Sequence, residues 1–189
     1  TCRFTVTVSD TSLPSISCPP NQTDYYNSSC EFIVPNYQSL ITASDNCFIS
    51  PSIIQSPAAG TTINSDTIIT FTINDSSSNS TNCSFRLLLL DSILPNVTCP
   101  SNQADFYNSN CEFTIPDYTS LITSSDNCDP SLIVTQTPPT GNIVSSDTSI
   151  TFLVTDDAGN STSCSFNLAV NPRKPTTAGT PLARAIITA

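Results

Sequence analysis

The chain has 189 residues, with 15 acidic side chains against five basic ones, no histidine, and a formal net charge of −10. This acidic balance excludes nucleic acid as a partner, because phosphate contacts need clustered Lys and Arg. Without His there is no Ser-His-Asp or Cys-His nucleophile system, so we predict no enzymatic activity, no catalytic residues and no cofactor. No run of about 20 apolar residues is present, so no membrane insertion is expected.

An internal repeat of 81 residues organises the chain. Its cysteines recur without insertion or deletion, so that Cys18, Cys30, Cys47 and Cys83 correspond to Cys99, Cys111, Cys128 and Cys164. A fixed period of this kind indicates an array of self-contained modules. We therefore place one module at residues 10–90 and a second at residues 91–171. Dense, regular cysteine in small modules is typical of an oxidising compartment, so we predict a secreted or cell-surface location.

Residues 1–9 align with the end of the first module by the same offset, since Cys2 corresponds to Cys83. We predict that they are the final strand of a preceding or neighbouring module. An odd cysteine in a secreted chain suggests a bond outside the chain, so we expect Cys2 to be intermolecular or intermodule. Two alternatives stay open: the chain is a segment of a longer polypeptide, or the strand completes the sheet of another subunit by β-augmentation.

Within each module, short runs of β-branched and aromatic residues predict strands, most clearly at 67–73 and 149–154. Pro, Asn-Ser and Asp-rich groups separate these runs and are typical of turns. No segment has a sustained helical period. The predicted fold class is all-β, with two tandem immunoglobulin-like antiparallel β-sandwich modules held by disulfides.

The junction at residues 87–95 contains four consecutive leucines and no flexible linker. We expect some of these leucines to be buried between the modules, which would make a stiff rod, and others to belong to a module core. Residues 172–189 carry no cysteine and are loosely rich in Pro and Thr. We predict a linker, or a donated strand that pairs with the next unit in a head-to-tail filament.

Motifs spread over both modules resemble the hyalin repeat, or HYR, family. The first module carries Leu13-Pro14-x-Ile16-x-Cys18-Pro19, Cys30, Asp45-Asn46-Cys47 and Asn79-Ser80-Thr81-x-Cys83-Ser84-Phe85. The second module fits better, with Asp157-Ala158-Gly159-Asn160-x-x-x-Cys164-x-Phe166. The first module has Ser76-Ser77-Ser78 where Asp-Ala-Gly is usual. The resemblance covers residues 10–171 and implies immunoglobulin-like sandwiches.

Four cysteines per module allow three disulfide connectivities, and the sequence alone does not choose among them. The first and last strands are neighbours in an immunoglobulin-like sandwich, and the family resemblance favours the same pairing. The expected bonds are Cys18–Cys83, Cys30–Cys47, Cys99–Cys164 and Cys111–Cys128. In the chain-entropy model the longer loop contributes about 4 kcal/mol and the shorter one about 3 kcal/mol.

Aspartates and sequons provide two further candidate sites. Calcium is a weaker expectation, with Asp45, Asp126 and Asp129, or Asp75, Asp156 and Asp157, as candidate oxygen ligands. Asp in turns more often serves backbone hydrogen bonds. Candidate N-glycosylation sites occur at Asn21, Asn27, Asn74, Asn79, Asn82, Asn96 and Asn160.

The sequence therefore predicts an extracellular structural protein, a rod or fibril of HYR-like modules with covalently attached glycans and a role in adhesion or a surface coat. Self-association head-to-tail, or continuation into further modules of the same chain, is the expected partnership. The alternative is an adhesin segment whose loops bind carbohydrate or a protein partner.

Overall fold

The structure is a computed structural model that describes residues 2–47 and 52–172. The chain divides into two compact units, Thr1–Leu94 with Asp126–Pro130, and Pro95–Ser125 with Ser131–Ala189. The division follows the 81-residue repeat closely except at Asp126–Pro130. By sequence this segment belongs to the second repeat, but in space it belongs to the first unit.

The first unit is built from short strands and two long ones. Within its described residues these are β1 (Ser15–Ser17), β2 (Gln22–Tyr25), β3 (Phe32–Ile33), β4 (Thr42–Ser44), β5 (Ser52–Ser56), β6 (Thr62–Ile63), β7 (Thr67–Asn74) and β8 (Ser80–Leu90). Strands β2, β8, β7 and β5 form one sheet in that order, while β1 pairs with β4 and β3 pairs with β6. A 3₁₀ turn at Gln38–Leu40 connects β3 to β4.

The core of the first unit lies on one face of this sheet. Side chains alternate between two faces along a strand, so the apolar positions of β7 and β8 come together on the inner face. The buried set is Val34, Tyr37, Ile69, Phe71, Phe85, Leu87 and Leu89. Ile16 of β1, Phe32 of β3 and Ile63 of β6 pack against it, so the strand pairs cover the sheet as a second layer.

The second unit repeats this arrangement with β9 (Asn96–Thr98), β10 (Gln103–Phe106), β11 (Phe113–Thr114), β12 (Thr123–Ser125), β13 (Ile133–Thr137), β14 (Ile143–Val144), β15 (Thr148–Thr155) and β16 (Ser161–Asn171). A 3₁₀ turn lies at Thr119–Leu121. The four-stranded sheet has the order β10-β16-β15-β13, with β12 paired to β9 and β11 to β14. The predicted all-β sandwich class is confirmed.

One strand pair in each unit departs from a purely antiparallel sandwich. Strand β2 runs parallel to β8, and β10 runs parallel to β16. These partners are far apart in sequence, so no hairpin turn imposes an antiparallel direction on them. The other pairs in both sheets are antiparallel.

Tyrosine and phenylalanine supply the aromatic centre of each core, in a chain that contains no Trp. The ring of Tyr37 meets Phe85 edge-on with centroids 5.2 Å apart, and Tyr118 meets Phe166 at the same distance. Edge-to-face pairs of this kind are worth about 0.5–1.5 kcal/mol beyond their burial. Burial raises the pKa of both tyrosine hydroxyls above the usual value of 10.0.

The leucines of the junction have ordinary strand roles. Leu87 and Leu89 are buried in the core of the first unit, whereas Leu88 and Leu90 alternate to the exposed face of β8. The part of the prediction that assigned leucines to a module core is thus correct for Leu87 and Leu89. Two-residue periodicity explains this division directly.

Residues 2–9 form no strand in the structure, and Phe4, Val6 and Val8 are 87%, 71% and 90% exposed. A strand needs a hydrogen-bonded neighbour, and these residues have none among the described residues, so their role as the final strand of a preceding or neighbouring module stays a prediction. At the other end, the predicted linker or donated strand at 172–189 lies outside the described residues apart from Pro172.

Candidate functional site

Two disulfides occupy the same position in both repeats. Cys18 is bonded to Cys83 with an Sγ–Sγ distance of 2.02 Å, and Cys99 to Cys164 with 2.03 Å. Both bonds agree with the expected pairing. Each joins the residue after a first strand to the last strand of its unit, across a sequence separation of 65 residues. In the chain-entropy model a loop of this length contributes about 4 kcal/mol.

The third disulfide differs from the expected pairing. Cys30 is bonded to Cys128, with Cα atoms 4.9 Å apart, which is within the usual range for a disulfide. The expected bonds Cys30–Cys47 and Cys111–Cys128 are therefore wrong in this structure. The reason is that spacing along the chain does not report distance in space, and Cys47 and Cys128 are equivalent positions of two repeats.

The segment around Cys128 folds with the first unit and brings this cysteine to Cys30. Residues 126–130 belong to that unit, and the side-chain amide of Asn127 donates a hydrogen bond to the carbonyl oxygen of Asn27 at 3.2 Å. The carboxylate of Asp126 accepts from the backbone N–H groups of Cys128 and Asp129 at 2.9 and 3.1 Å. These bonds hold the cysteine in a turn.

Cys2, Cys47 and Cys111 carry free thiols, and all three are exposed. The sequence predicted only Cys2 as a cysteine with its partner outside the chain, and that expectation stays a prediction. Cys47 and Cys111 join it because their expected partners, Cys30 and Cys128, are bonded to each other.

A cluster of three carboxylates lies beside Cys47 in the first unit. One oxygen each from Asp10, Asp45 and Asp75 lies within 4.8 Å of the other two. Asp45 and Asp75 come from different candidate calcium sets, and Asp10 was missed because it lies 35 residues before Asp45 in the sequence. The Oδ1 atom of Asp45 is buried without a hydrogen-bond partner in the described part of the chain. Calcium binding stays a prediction.

The carboxylates change the acidity of their neighbours. The backbone N–H of Ser12 donates to Asp10 at 3.0 Å and is the main cause of a lowered pKa of that carboxyl. A hydrogen bond to Asp10 is the main cause of a raised pKa of the Cys47 thiol, with the negative charges of Asp45 and Asp75 acting in the same direction. The Cys47 thiolate is accordingly disfavoured at neutral pH.

The other predicted calcium ligands take part in turns. Asp156 is buried, and its carboxylate accepts hydrogen bonds from the backbone and side-chain N–H groups of Asn160 at 2.7 and 2.8 Å. Asp75 makes the equivalent bonds to Asn79 at 2.8 and 2.7 Å. Asp157 is exposed. An acceptor role in turns is common for Asp.

The seven sequons divide into two groups. Four asparagines are exposed in the structure: Asn21, Asn27, Asn82 and Asn96. Asn74, Asn79 and Asn160 are half-buried. The side-chain nitrogen of Asn79 donates to Asp75 and to the carbonyl oxygen of Asp10 at 3.1 Å, so a glycan on it would break a turn. Glycosylation is thus predicted for the exposed group.

Sequence reasoning missed two buried glutamines that occupy the same position in each repeat. Gln136 accepts a hydrogen bond from the backbone N–H of Tyr118 at 2.8 Å and donates to the carbonyl oxygens of Pro116 and Pro138 at 3.0 and 3.1 Å. Gln55 makes the equivalent three bonds in the first unit. Their only sequence signal is a polar residue repeated 81 positions apart within a predicted strand.

A shallow groove of about 340 Å³ opens on the second unit beside β15 and β16, lined by Asp147, Thr148, Ser149, Asn167, Leu168 and Ala169. The Asp147 carboxylate accepts from the backbone N–H of Val170 at 2.9 Å, as Asp66 does from Leu89 in the first unit. Asn167 stands where the first repeat has Arg86, which forms a 2.8 Å salt bridge to Asp66.

Within the described residues, no helix is both long and apolar enough to cross a bilayer. The three disulfides are typical of proteins of an oxidising compartment, such as the extracellular space or a cell surface.

Comparison with known proteins gives a family match and distant structural similarity. Similar solved structures include the human mucin-like protocadherin EC1-2 (9% identity, TM-score 0.43), with 85% of this chain and 98% of that chain covered. Drosophila N-cadherin EC1-4 has 13% identity and a TM-score of 0.40, with 84% and 49% covered. The four N-terminal Ig domains of Dscam1 isoform 1.9 have 10% sequence identity and a TM-score of 0.37, with 89% of this chain and 48% of that chain covered. The match thus spans about half of the last two chains.

These structural similarities carry no inference about function, because their TM-scores and identities are low. No curated protein matches the chain. The family model of the HYR domain matches residues 90–170, the segment whose motifs fit that family better in the sequence. The second repeat, with its Cys99–Cys164 disulfide and its closing Asp-Ala-Gly-Asn turn, thus matches the HYR domain family along its length.

Proposed function

We propose that this chain is a non-enzymatic extracellular structural protein whose HYR-like modules associate into a rod or fibril, with a role in adhesion or a surface coat. The proposal is carried by the N-terminal segment, residues 2–9. This segment has the residue pattern of a buried core strand, yet its apolar side chains face solvent.

The pattern is the same in three places along the chain. Phe4, Val6 and Val8 lie 81 residues before Phe85, Leu87 and Leu89, and 162 before Phe166, Leu168 and Val170. The six residues of β8 and β16 are all buried in the cores of their units. The three residues of the N-terminal segment are largely exposed.

Burial of this segment in another module would give a substantial driving force. Each apolar side chain gains about 1.5–3 kcal/mol on full burial, so three together gain roughly 6 kcal/mol. Strand addition also satisfies the backbone N–H and C=O groups of the segment. Both units of this chain already contain their closing strands, β8 and β16, so a second copy would accept the segment by displacing one of these strands. The strand would then join molecules head-to-tail, which builds open filaments when the rotation does not close.

The net negative charge and the disulfide bonds of the chain suit this role outside the cell. Exposed sequons at Asn21, Asn27, Asn82 and Asn96 provide places for glycans that would solvate a surface with few charged groups. Only five Lys and Arg residues are present, which leaves few sites for trypsin-like proteases.

Light scattering after size exclusion, with negative-stain imaging, tests the proposal. The wild-type chain is expected to form multimers or filaments. A variant with Phe4→Ser, Val6→Ser and Val8→Ser is expected to stay monomeric. The matched control is Thr5→Ala with Thr7→Ala, which alters the alternate face of the same segment and should assemble normally. A monomeric wild type at high concentration would refute the proposal.

A second candidate function has one observation in its favour. The groove beside Asp147 and Asn167 is an open site with both polar and apolar lining residues, large enough for a sugar residue, which favours the adhesin alternative. The first repeat has Arg86 at the position of Asn167. Binding of the chain to a glycan array would support the adhesin alternative if the Asn167→Arg variant loses that binding. The absence of binding to any glycan on the array would contradict the adhesin alternative.

A further inference from the structure

The disulfides follow a rule that spans the repeat. Cys30 and Cys128 are separated by 98 residues, which is one repeat of 81 plus the 17 residues between the second and third cysteines of a repeat. The bond therefore joins the second cysteine of one repeat to the third cysteine of the following repeat. The two free thiols at Cys47 and Cys111 are the remaining members of these two classes.

Cys111 has the local structure of the bonded Cys30. Both residues have a left-handed backbone, with φ of 60° and 55°. In both turns the cysteine N–H donates to the carbonyl oxygen three residues earlier, Asn108 at 3.2 Å and Asn27 at 3.0 Å. The cysteine that lacks a disulfide is thus presented in the same way as the one that has it. Its side chain is exposed.

Cys47 has the local structure of the bonded Cys128. The backbone N–H of Cys47 donates to the carboxylate of Asp45 at 3.1 Å, and that of Cys128 donates to Asp126 at 2.9 Å. Both cysteines follow the same Ser-Asp-Asn sequence. Cys47 is exposed and has no disulfide.

We infer that Cys111 of one copy of this chain forms a disulfide with Cys47 of a second copy, so that the Cys30–Cys128 bond is repeated between molecules. A partner for Cys111 lies 98 residues further along a continued repeat, and a second copy that extends the period by two repeats presents Cys47 at that position. The inference deepens the proposed assembly and rests on it. It names the covalent contact that joins successive copies.

The reaction is thiol–disulfide exchange with an oxidised low-molecular-weight disulfide, such as oxidised glutathione. The Cys111 thiol loses its proton, its thiolate attacks one sulfur of the oxidant, and one thiol leaves. The Cys47 thiol then loses its proton, its thiolate attacks the protein sulfur of this mixed disulfide, and the leaving thiolate takes up a proton to become the second thiol. Two protein thiols are oxidised, one small disulfide is reduced to two thiols, and the Sγ–Sγ bond takes their place.

Non-reducing electrophoresis and peptide mapping test the inference. A mixture of ¹⁵N-labelled and unlabelled full-length chain is incubated in a glutathione redox buffer, digested with Asp-N, and analysed by mass spectrometry. The expected result is a ladder of covalent multimers, and a Cys47–Cys111 peptide pair with one labelled and one unlabelled partner. A pair found only with identical labels would place the bond within one molecule and overturn the inference.

Single substitutions give the matched controls. Cys47→Ser and Cys111→Ser alone should each abolish the ladder, and their mixture should give dimers as the main covalent product. Cys2→Ser should leave the Cys47–Cys111 pair intact. A ladder that persists in Cys111→Ser, or predominance of Cys111–Cys111 pairs, would overturn the inference.

Imaging of the double variant Cys47→Ser with Cys111→Ser separates this inference from the proposed function. Wild-type filaments that contain no Cys47–Cys111 pair would refute the disulfide and leave the assembly in place. A wild type that forms neither filaments nor the pair would refute both. Filaments of the double variant together with the pair in wild type would support both, with the strand segment as the primary contact.

Discussion

Replacement of the buried Gln136 by Leu should destabilise the second unit by about 3 kcal/mol. Gln136 is only 8% exposed, and its side chain makes three hydrogen bonds to backbone groups of Tyr118, Pro116 and Pro138. Leu has a similar volume but leaves one N–H and two C=O groups without a partner. A buried orphaned group costs about 1–3 kcal/mol, and the burial of the apolar Leu side chain offsets part of the sum.

The substitution Gln136→Glu gives a pH-dependent version of the same perturbation. The introduced carboxylate would still accept from the backbone N–H of Tyr118, but its second oxygen would face two carbonyl oxygens, so its pKa should be raised in the folded state. A raised carboxyl pKa lowers stability above the unfolded value of about 4.3 and not below it. Gln136→Glu should therefore approach wild-type stability at acid pH and fall away from it as the pH rises.

Hydrogen–deuterium exchange with peptide resolution is the appropriate assay, because it reports on each unit separately. A loss of about 3 kcal/mol corresponds to roughly 100-fold faster exchange of the protected amides in β13, β15 and β16. Peptides from β5, β7 and β8 are the internal control, and Gln55→Leu should give the mirrored result. Unchanged protection in Gln136→Leu, or a Gln136→Glu variant that becomes more stable with rising pH, would refute the hydrogen-bond argument.

Two further predictions concern the equivalent turns at Ser78 and Gly159, and the thiol of Cys47. Ser78 has φ of 70°, and the equivalent residue of the second repeat is Gly159 with φ of 91°. Because Gly adopts a positive φ more readily than Ser, Ser78→Gly should stabilise the first unit by about 0.5–1 kcal/mol in urea unfolding, and Gly159→Ser should destabilise the second unit by a similar amount. Effects of the same sign for both substitutions would contradict this prediction. Asp10→Asn should lower the pKa of the Cys47 thiol and speed its alkylation at neutral pH, since the hydrogen bond to Asp10 is the main cause of the raised value. Alkylation rates followed from pH 7 to 10 test this, with Asp24→Asn as a control of equal charge change.

The local elements followed from the sequence because their causes are local. Apolar residues occur at alternate positions in residues 67–73 and 149–154, so a strand in either segment has one apolar face that can be buried. The long strands β7 and β15 lie in these two segments. The Asp-Ala-Gly-Asn turn was predictable for the same reason, since Gly159 takes a positive φ that other residues avoid. The 81-residue period also indicated two units of the same fold.

The sequence did not indicate which residues that are far apart along the chain lie close together in space. The cluster joins Asp10, Asp45 and Asp75, which lie in three segments far apart in the sequence, and no sequence pattern connects these three positions. The partners of Gln55 and Gln136 are likewise backbone groups, which have no residue-specific signature.

The sequence by itself determined the repeat and the strands, and together with the family resemblance it indicated the Cys18–Cys83 and Cys99–Cys164 bonds, because first and last strands are neighbours in the sandwich. Only the tertiary structure decided the partner of Cys30. Cys47 and Cys128 have the same local sequence, and the period allows either of them. What separates them is that the segment 126–130 folds with the first unit and places Cys128 within bonding distance.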